Sequence, residues 1–408
     1  MKKTISFLLA LVFFLLTACG QAPRGSETES GESLESEDTT AGAEPYVLKT
    51  APEDQNQAAP GSTFVETPEG YYYVCGKETP NGFEYFINFC PRGGDRFRPL
   101  CGKPNCSHND KNCNAWCGHS CLDFGYYNGG LYTVEVSIHI NVVRMNLDGT
   151  DHRVVATLDE SVAENFGLEF KFHHGKLFIW ETASSDLPLE EQEEQEEHLV
   201  VLDLTDYSQK ELASDFLRTA SLPPYYKFYK DKLYMRGTGE KETYGDYDPY
   251  KRKLIEVDAV TGEAGVVLPR SINGLYVTDS TWYFFEPDLT SRGYKAENVE
   301  PGFREYDPES GTIQDKGLPT EDILNAFYDE DFIYAGGFPR NNDRDQTLYF
   351  LSRDYKLLDR IELSDIFLYA VASDRVYFYG RDLIISHYID KSQIGSGELT
   401  LVPIKTVG

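Results

Sequence analysis

A phrase of two short strands joined by a polar turn recurs along most of this chain. Its second strand, rich in Leu, Tyr and Phe, begins near Tyr71, Leu131, Leu177, Leu233, Trp282, Phe332 and Val376. Neighbouring phrases lie 44 to 60 residues apart. Repeats of this length indicate stacked supersecondary units rather than independent domains. Past residue 61 no long stretch shows the 3.6-residue period of a helix, so the phrase predicts an all-β body.

A second feature shows how many strands each repeat contains. In most units a further strand ends in an acidic turn from which another strand departs, as in Val143–Gly149 and Leu254–Asp258. Asp and Gly suit such turns because they cap the backbone or accept a positive φ. Each repeat therefore holds about four antiparallel strands, which is typical of β-propeller blades. We expect seven blades, although six or eight would also fit because the first and last units are the least regular.

The two ends of a propeller must meet, because an open ring would leave sticky sheet edges. We expect the ends of the chain to share one sheet. The candidate strands are Thr63–Thr67 and Leu399–Lys405.

The N-terminus is typical of a lipoprotein signal peptide over residues 1–18. Lys2 and Lys3 precede an apolar run, Ile5–Leu16, that is too short to span a bilayer comfortably. The following Leu-Thr-Ala-Cys-Gly resembles the bacterial lipobox. That resemblance implies cleavage before Cys19 and attachment of acyl chains such as palmitate, which hold a protein on the membrane. We therefore expect a lipid-anchored protein on the extracytoplasmic face of the cell membrane.

Residues 19–60 indicate a disordered tether between the lipidated Cys19 and a folded body at 61–408. The tether carries nine acids against Arg24 and Lys49, and it cannot bury enough apolar surface to offset its ordering entropy. The whole chain of 408 residues has 38 Lys and Arg against 67 Asp and Glu, a net charge of −29. This charge excludes sequence-independent nucleic-acid binding and favours cationic or neutral ligands.

The signal peptide and the repeats together resemble the exported β-propeller-repeat lipoproteins of Gram-positive bacteria. The resemblance covers the whole chain. It implies a propeller anchored outside the cell, and most members of that group have no assigned activity.

The first repeat carries a Cys-rich insertion at about residues 100–121. Within it lies the pattern C-x4-C-x-H-x4-C, formed by Cys101, Cys106, His108 and Cys113. Three thiols and one imidazole are a ligand set that tetrahedral structural zinc prefers. The segment also resembles a recurrent Leu-Cys…Pro…Cys…His…Cys element near the start of such lipoprotein propellers, and that resemblance implies a structural role.

Disulfides are the alternative for these cysteines, and an exported location favours them. With Cys19 lipidated, seven cysteines remain, which allows three disulfides and one free thiol. If three instead bind metal, four remain for two disulfides: Cys75, Cys90, Cys117 and Cys121. A hairpin around Asn81-Gly82 would place Cys75 opposite residues near 88 to 90, so a Cys75–Cys90 bridge is geometrically reasonable. Metal, disulfides and reduced thiols all stay open at this point.

The sequence contains no recognisable catalytic constellation. It has no G-x-S-x-G elbow, no H-E-x-x-H and no glycine-rich loop leading into a helix. Sugars and peptides stack on exposed rings, and a loop with Gly, Asp and Pro contains Tyr244, Tyr247 and Tyr250. These tyrosines are candidate ligand-binding aromatics, against the alternative that they fill loops and interblade packing.

Three functions fit these observations. The first is a monomeric, membrane-tethered, non-enzymatic binding or scaffold module for a protein, peptide or glycan. The second is a surface glycan-active enzyme with carboxylates in the propeller funnel, at separations of about 5 to 10 Å. The third is a sensor or assembly factor for other envelope proteins.

Overall fold

The structure is a computed structural model, in which the chain divides into two units, Met1–Pro45 and Tyr46–Gly408. It describes residues 63–80, 82–121, 123–136, 139–158, 166–183, 198–214, 226–237, 253–270, 272–287, 300–320, 322–336, 345–381 and 384–405. Cys19, the tether at 19–60 and the tyrosines at 244, 247 and 250 lie outside these described residues. Within the described ranges no helix has the length and apolar character needed to cross a membrane.

The described strands form seven antiparallel sheets, of which the first four are as follows. Blade 1 contains β1 (Phe64–Glu66), β2 (Gly70–Thr79), β3 (Gly82–Pro91), β4 (Arg98–Pro99) and β5 (Trp116–Gly118), which pairs with β3. Blade 2 contains β6 (Phe124–Tyr127), β7 (Gly130–Val136), β8 (Ile140–Asn146) and β9 (Arg153–Thr157). Blade 3 contains β10 (Phe166–His173), β11 (Lys176–Ala183), β12 (His198–Asp203) and β13 (Gln209–Ser214). Blade 4 contains β14 (Tyr226–Tyr229), β15 (Lys232–Gly237), β16 (Lys253–Asp258) and β17 (Ala264–Leu268).

The remaining three blades repeat the same order. Blade 5 contains β18 (Asn273–Val277), β19 (Trp282–Glu286), β20 (Gly302–Asp307) and β21 (Thr312–Gly317). Blade 6 contains β22 (Asn325–Tyr328), β23 (Phe332–Gly336), β24 (Asp345–Ser352) and β25 (Leu357–Ser364). Blade 7 contains β26 (Phe367–Val371), β27 (Arg375–Tyr379), β28 (Ile385–Asp390), a short 3-10 helix (Lys391–Gln393) and β29 (Val402–Pro403). The predicted all-β propeller of seven four-stranded blades is confirmed, with β5 as an addition that the repeat did not predict.

The first strand of each blade lies innermost, because the first strands of neighbouring blades contact one another: β1 with β6, β6 with β10, β14 with β18, and β18 with β22. Tight turns lead from these inner strands outward. Asn128 and Gly129 have φ values of 45° and 72°, and His174 and Gly175 have 49° and 71°. Two consecutive left-handed residues give a hairpin turn whose twist matches that of the strands. The polar turns predicted before the strands at Leu131 and Leu177 are therefore confirmed.

Each blade packs on both neighbours through buried apolar layers. The described residues form seven such layers, one at each junction of adjacent blades. The second strand of a blade contributes side chains to two of these layers. In blade 1, Tyr72 packs toward blade 2, whereas Tyr71 packs toward blade 7. Phe332 and Ile333 divide in the same way between blades 7 and 5. Because successive side chains face opposite sides of a strand, burial of both faces explains the continuous apolar runs of the repeat.

The ring closes without a shared sheet. β1 pairs with β2 in blade 1, and β29 pairs with β28 in blade 7. The expectation that Thr63–Thr67 and Leu399–Lys405 share one sheet was wrong, because each blade takes its four strands from one consecutive stretch of chain. Side-chain packing closes the ring instead, with the rings of Phe64 and Tyr377 5.2 Å apart between centroids.

Arg375 makes one of the polar contacts across the same junction of blades 1 and 7. This side chain is 6% exposed, and its Nε donates to Asp390 at 3.2 Å. Its Nη1 donates to the carbonyl of Gly94 in blade 1, while the guanidinium lies 4.2 Å from the ring centroid of Tyr388. The buried cation is thus paired, hydrogen-bonded and stacked at once, which gives the junction a defined geometry.

Replacement of Arg375 should weaken the closure of the ring. We expect Arg375→Met to lower the free energy of unfolding by about 2 to 4 kcal/mol, because Asp390 and the carbonyl of Gly94 lose a partner. Chemical denaturation measures the change. Arg381→Met is the matched control, since Arg381 is 60% exposed in its pair with Asp365 and should cost less than about 0.5 kcal/mol. Equal losses in the two variants would contradict this account.

Candidate functional site

The Cys-rich insertion leaves the outer edge of blade 1 after β4 and returns to it at β5. On its return, Trp116 pairs with Phe86 of β3. Two residues in the insertion have left-handed backbone, Asn105 with φ 59° and His108 with φ 51°. These bends turn the chain back on itself, so that ligand-bearing side chains separated in sequence meet.

The structure brings the four predicted ligand residues together. One ligand atom from each of Cys101, Cys106, His108 and Cys113 lies within 4.8 Å of all the others. Nδ1 of His108 lies 3.3 Å from Sγ of Cys113. Cys113 is buried at 3% exposure, and the other three are half-buried. We call these four residues the Cys3His cluster.

Backbone amides donate hydrogen bonds to sulfurs of this cluster. The N–H of Ala115 donates to Sγ of Cys113 at 3.4 Å, although burial raises the pKa of the Cys113 thiol to about 12. Burial acts in the same direction on Cys101, but hydrogen bonds from the backbone of Lys103 and Asn114 outweigh it, and the pKa of that thiol is lowered. Burial lowers the pKa of His108, which keeps the imidazole neutral with a lone pair free to coordinate.

The disulfide prediction is not supported. None of the seven described cysteines forms a disulfide. Cys75 is paired with Phe86 and Cys90 with Tyr71, so the expected pairing of Cys75 with residues 88 to 90 was wrong, although Nδ2 of Asn88 donates to Sγ of Cys75 at 3.1 Å. The register differs because the hairpin turns tightly, with Thr79 paired to Gly82. Each residue of β2 is therefore paired with a residue of β3 that lies earlier in the chain than predicted.

The other two disulfide candidates, Cys117 and Cys121, are buried at 0% and 7% exposure. Their thiols interact with each other, and burial followed by this interaction raises the pKa of Cys117 well above its ordinary value. The Cys121 thiol also donates to the carbonyl of Asp123 at 3.5 Å. The two residues are therefore neighbouring core thiols rather than ligands of the Cys3His cluster.

A pocket of about 410 Å³ adjoins the cluster. It is lined by Glu84, Asp110, Lys111, Asn112, Trp116 and His119. Three of these residues lie between His108 and Cys113 in the sequence, so the loop that carries the cluster also builds one wall of the pocket. The volume is within the range of small-ligand sites.

Glu84 is the buried carboxylate of this pocket, at 2% exposure. It accepts hydrogen bonds from Nε1 of Trp116 at 3.1 Å and from the hydroxyl of Thr79 at 2.7 Å. Nδ1 of His119 lies 3.9 Å from the same carboxylate, and the His119 side chain is 65% exposed. A fixed carboxylate below an indole and an exposed imidazole can hold a cationic or hydroxyl-rich group.

The sequence prediction missed this pocket. The one signal for it was a charged residue, Glu84, near the start of the largely apolar strand Gly82–Pro91. Its partners Trp116 and His119 lie more than 30 residues further along the chain, and nothing in the sequence pairs them with it.

An acidic residue also lies on an inner strand of the propeller. Glu169, on the inner strand β10, pairs in register with Trp180 of β11. It borders a very small cavity together with Phe178 and Phe228. Burial raises the pKa of Glu169 to about 7. A carboxyl in these surroundings holds its proton close to neutral pH.

Comparison with solved structures supports the fold. An oligogalacturonate lyase from Vibrio parahaemolyticus is 13% identical with a TM-score of 0.51, over 83% of this chain and 91% of that chain. An acylaminoacyl peptidase is 12% identical with a TM-score of 0.51, over 84% of this chain and 52% of that chain, so this chain spans about half of the peptidase. Likeness at such identity shows the β-propeller fold alone. No family model matches the sequence, and no curated protein matches it.

The raised pKa of Glu169 predicts a pH-dependent stability. The folded state retains its proton between about pH 4.5 and pH 7, where the unfolded state has lost it, so this residue lowers the free energy of unfolding as pH rises through that window. We expect Glu169→Gln to exceed the wild type by roughly 1 kcal/mol near pH 8, a value discounted for partial exposure, and to match it below about pH 4.5.

Denaturant titrations of both proteins across this pH range measure the difference. Glu78→Gln is the control, because Glu78 is an exposed residue of β2 and its replacement should change stability little at any pH. A Glu169→Gln curve parallel to that of the wild type would disprove the assignment.

Proposed function

We propose that this chain is a lipid-anchored β-propeller on the extracytoplasmic face of the membrane, and that it binds a neutral or cationic ligand as a monomer. The observation that carries the binding role is the pocket on blade 1, with the buried carboxylate of Glu84 below Trp116 and His119. Glu84 is held in place there by two hydrogen bonds that it accepts.

The charges around the pocket support a neutral or cationic ligand. Glu84 and Asp110 face it together with the exposed Lys111, and the whole chain carries a net charge of −29. A negative field of this size repels anions and raises the local concentration of cations. Trp116 adds an aromatic face on which a sugar ring or a cationic group can stack.

The pocket stands on a rigid frame. Glu84 lies on β3 and Trp116 on β5, and these strands pair in the sheet of blade 1. Ile87 of β3 also donates its N–H to the carbonyl of Ala115 at 2.7 Å. A site on paired strands keeps its geometry better than one on a free loop, which lowers the entropic cost of binding.

The anchor is supported by the sequence at residues 1–18 and the lipobox-like cysteine, Cys19. Acyl chains on that residue would contribute about 0.8 kcal/mol per buried methylene. The acidic tether at 19–60 would then separate the propeller from the membrane surface.

Removal of the anchor cysteine should release the protein. In a bacterial host we expect the wild type to sediment with membranes and to incorporate labelled palmitate, and Cys19→Ser to lose both properties because no acyl chain can attach. Fractionation and metabolic labelling measure the change. Cys75→Ser serves as the control and should behave as the wild type. Membrane association without label in the wild type would exclude the lipid anchor.

The pocket should discriminate between ligands by charge. We expect a chitosan oligosaccharide, which is cationic, to bind more tightly than a cello-oligosaccharide, and an oligogalacturonate to bind least. Tryptophan emission reports this binding, since Trp180 and Trp282 are buried at 3% and 6% exposure while Trp116 is partly exposed. Glu84→Gln should weaken the cationic probe about tenfold or more through loss of a charged acceptor.

Glu78→Gln is the matched control for this experiment, because it removes the same charge from an exposed position on the neighbouring strand. Far-ultraviolet circular dichroism confirms that both variants keep the fold. Equal affinity for the cationic and anionic probes, or equal loss in the two variants, would exclude the pocket as the binding site.

A surface glycan-active enzyme is the second candidate. One observation favours it: Glu169 on an inner strand has its pKa raised to about 7 by burial, as a general acid requires. A glycosidase also needs a second carboxylate about 5 to 10 Å away. Release of reducing ends from neutral glycans by the wild type, abolished in Glu169→Gln, would favour this function over binding alone.

A further inference from the structure

We propose that the Cys3His cluster binds one zinc ion, which acts as a structural centre and holds one wall of the blade 1 pocket. The ion would be ligated by the four side chains that the fold brings together: Cys101, Cys106, His108 and Cys113. This inference is independent of which ligand the pocket takes.

The distances fit a tetrahedral ion. With zinc–sulfur bonds of about 2.3 Å and a zinc–nitrogen bond of about 2.0 Å, the ligand atoms of a tetrahedron lie about 3.5 to 3.8 Å apart. In the structure all four atoms lie within 4.8 Å of one another, and Nδ1 of His108 lies 3.3 Å from Sγ of Cys113. Side-chain movements of less than about 1 Å would reach the tetrahedral arrangement.

The ligand types select zinc over the hard divalent cations. Three thiolates and an imidazole are soft and borderline donors, whereas calcium and magnesium require oxygen ligands. Three thiolates on a divalent ion leave one net negative charge. The N–H of Ala115 already points at Sγ of Cys113, and backbone groups of Lys103 and Asn114 reach Cys101. Such amide donors spread the remaining charge and orient the sulfurs.

Four protein ligands leave no open position, which indicates a structural rather than a catalytic ion. The insertion has a need for such support. Between β4 and β5 the chain forms no strand or helix over residues 100–115, and it contains the left-handed residues Asn105 and His108. Metal–ligand bonds would hold such an irregular segment in place.

A disulfide would engage only two of the four side chains in the cluster. The sulfurs of Cys101, Cys106 and Cys113 all interact with one another, so oxidation of any two leaves the third unpaired beside the imidazole of His108. A metal ion engages all four groups. The pocket residues Asp110, Lys111 and Asn112 lie between the last two ligands, so the ion would also hold this part of the pocket wall.

Metal content of the purified full-length chain tests the proposal. We expect one zinc per chain by inductively coupled plasma mass spectrometry. His108→Gln and Cys106→Ser should each weaken zinc binding at least about tenfold, measured by competition with a chromogenic chelator. Cys75→Ser is the matched control and should retain one zinc, because Cys75 lies on β2 outside the cluster. Zinc retained equally by all variants would overturn the assignment.

A second measurement covers variants that fail to fold. Wild-type protein stripped of metal should bind one Co²⁺ and develop both the sulfur-to-cobalt charge-transfer band and the visible bands of tetrahedral cobalt. After denaturation and removal of metal, all three cluster cysteines should react with iodoacetamide. Absence of both cobalt signatures, or a disulfide between two cluster cysteines in the protein as isolated, would overturn the proposal. Neither outcome depends on the glycan-binding experiment.

Discussion

The whole structure depends on sheets that are apolar on both faces. In the second strand of each blade, neighbouring residues such as Tyr71 and Tyr72 pack into different interblade layers. A sheet of this kind needs a covering layer on either side, because exposed apolar area costs roughly 25 cal/mol per Å². A linear array of such sheets would leave one apolar face exposed at each end. A closed ring leaves none exposed, because each of the seven blades packs on two neighbours through seven apolar layers.

This constraint explains how the ring closes. Once blade 7 packs on blade 1 through the layer that contains Phe64 and Tyr377, a strand exchanged between them is unnecessary. Arg375 then fixes the relative position of the two blades by reaching the backbone of blade 1 at Gly94. The edge strands β4 and β29 span only two residues each, so they offer little template for pairing with other chains.

The candidate site lies at the outer edge of blade 1, because the Cys-rich insertion leaves the sheet after β4 and returns to it at β5. In blade 1 the short β4 leaves part of β3 unpaired, and β5 occupies that edge. The Cys-rich insertion between these two strands thereby becomes both the carrier of the Cys3His cluster and a wall of the pocket. One loop thus carries both the proposed zinc site and part of the proposed ligand pocket.

Local interactions determined what could be predicted. The repeat length, the Asn-Gly and His-Gly turns, the all-β class and the four residues of the Cys3His cluster follow from neighbours close in the chain, since turn chemistry and strand periodicity act over a few residues. The shift of Cys75 to a position opposite Phe86 already escaped prediction, because a change in turn length moves a whole register. Only the tertiary structure decided three other features: closure of the ring by side-chain packing, the contact of Glu84 with Trp116 and His119, and the burial of Glu169. Each depends on contacts between segments that are distant in the chain, and the free energy of those contacts arises only when the segments pack, so no local pattern encodes it.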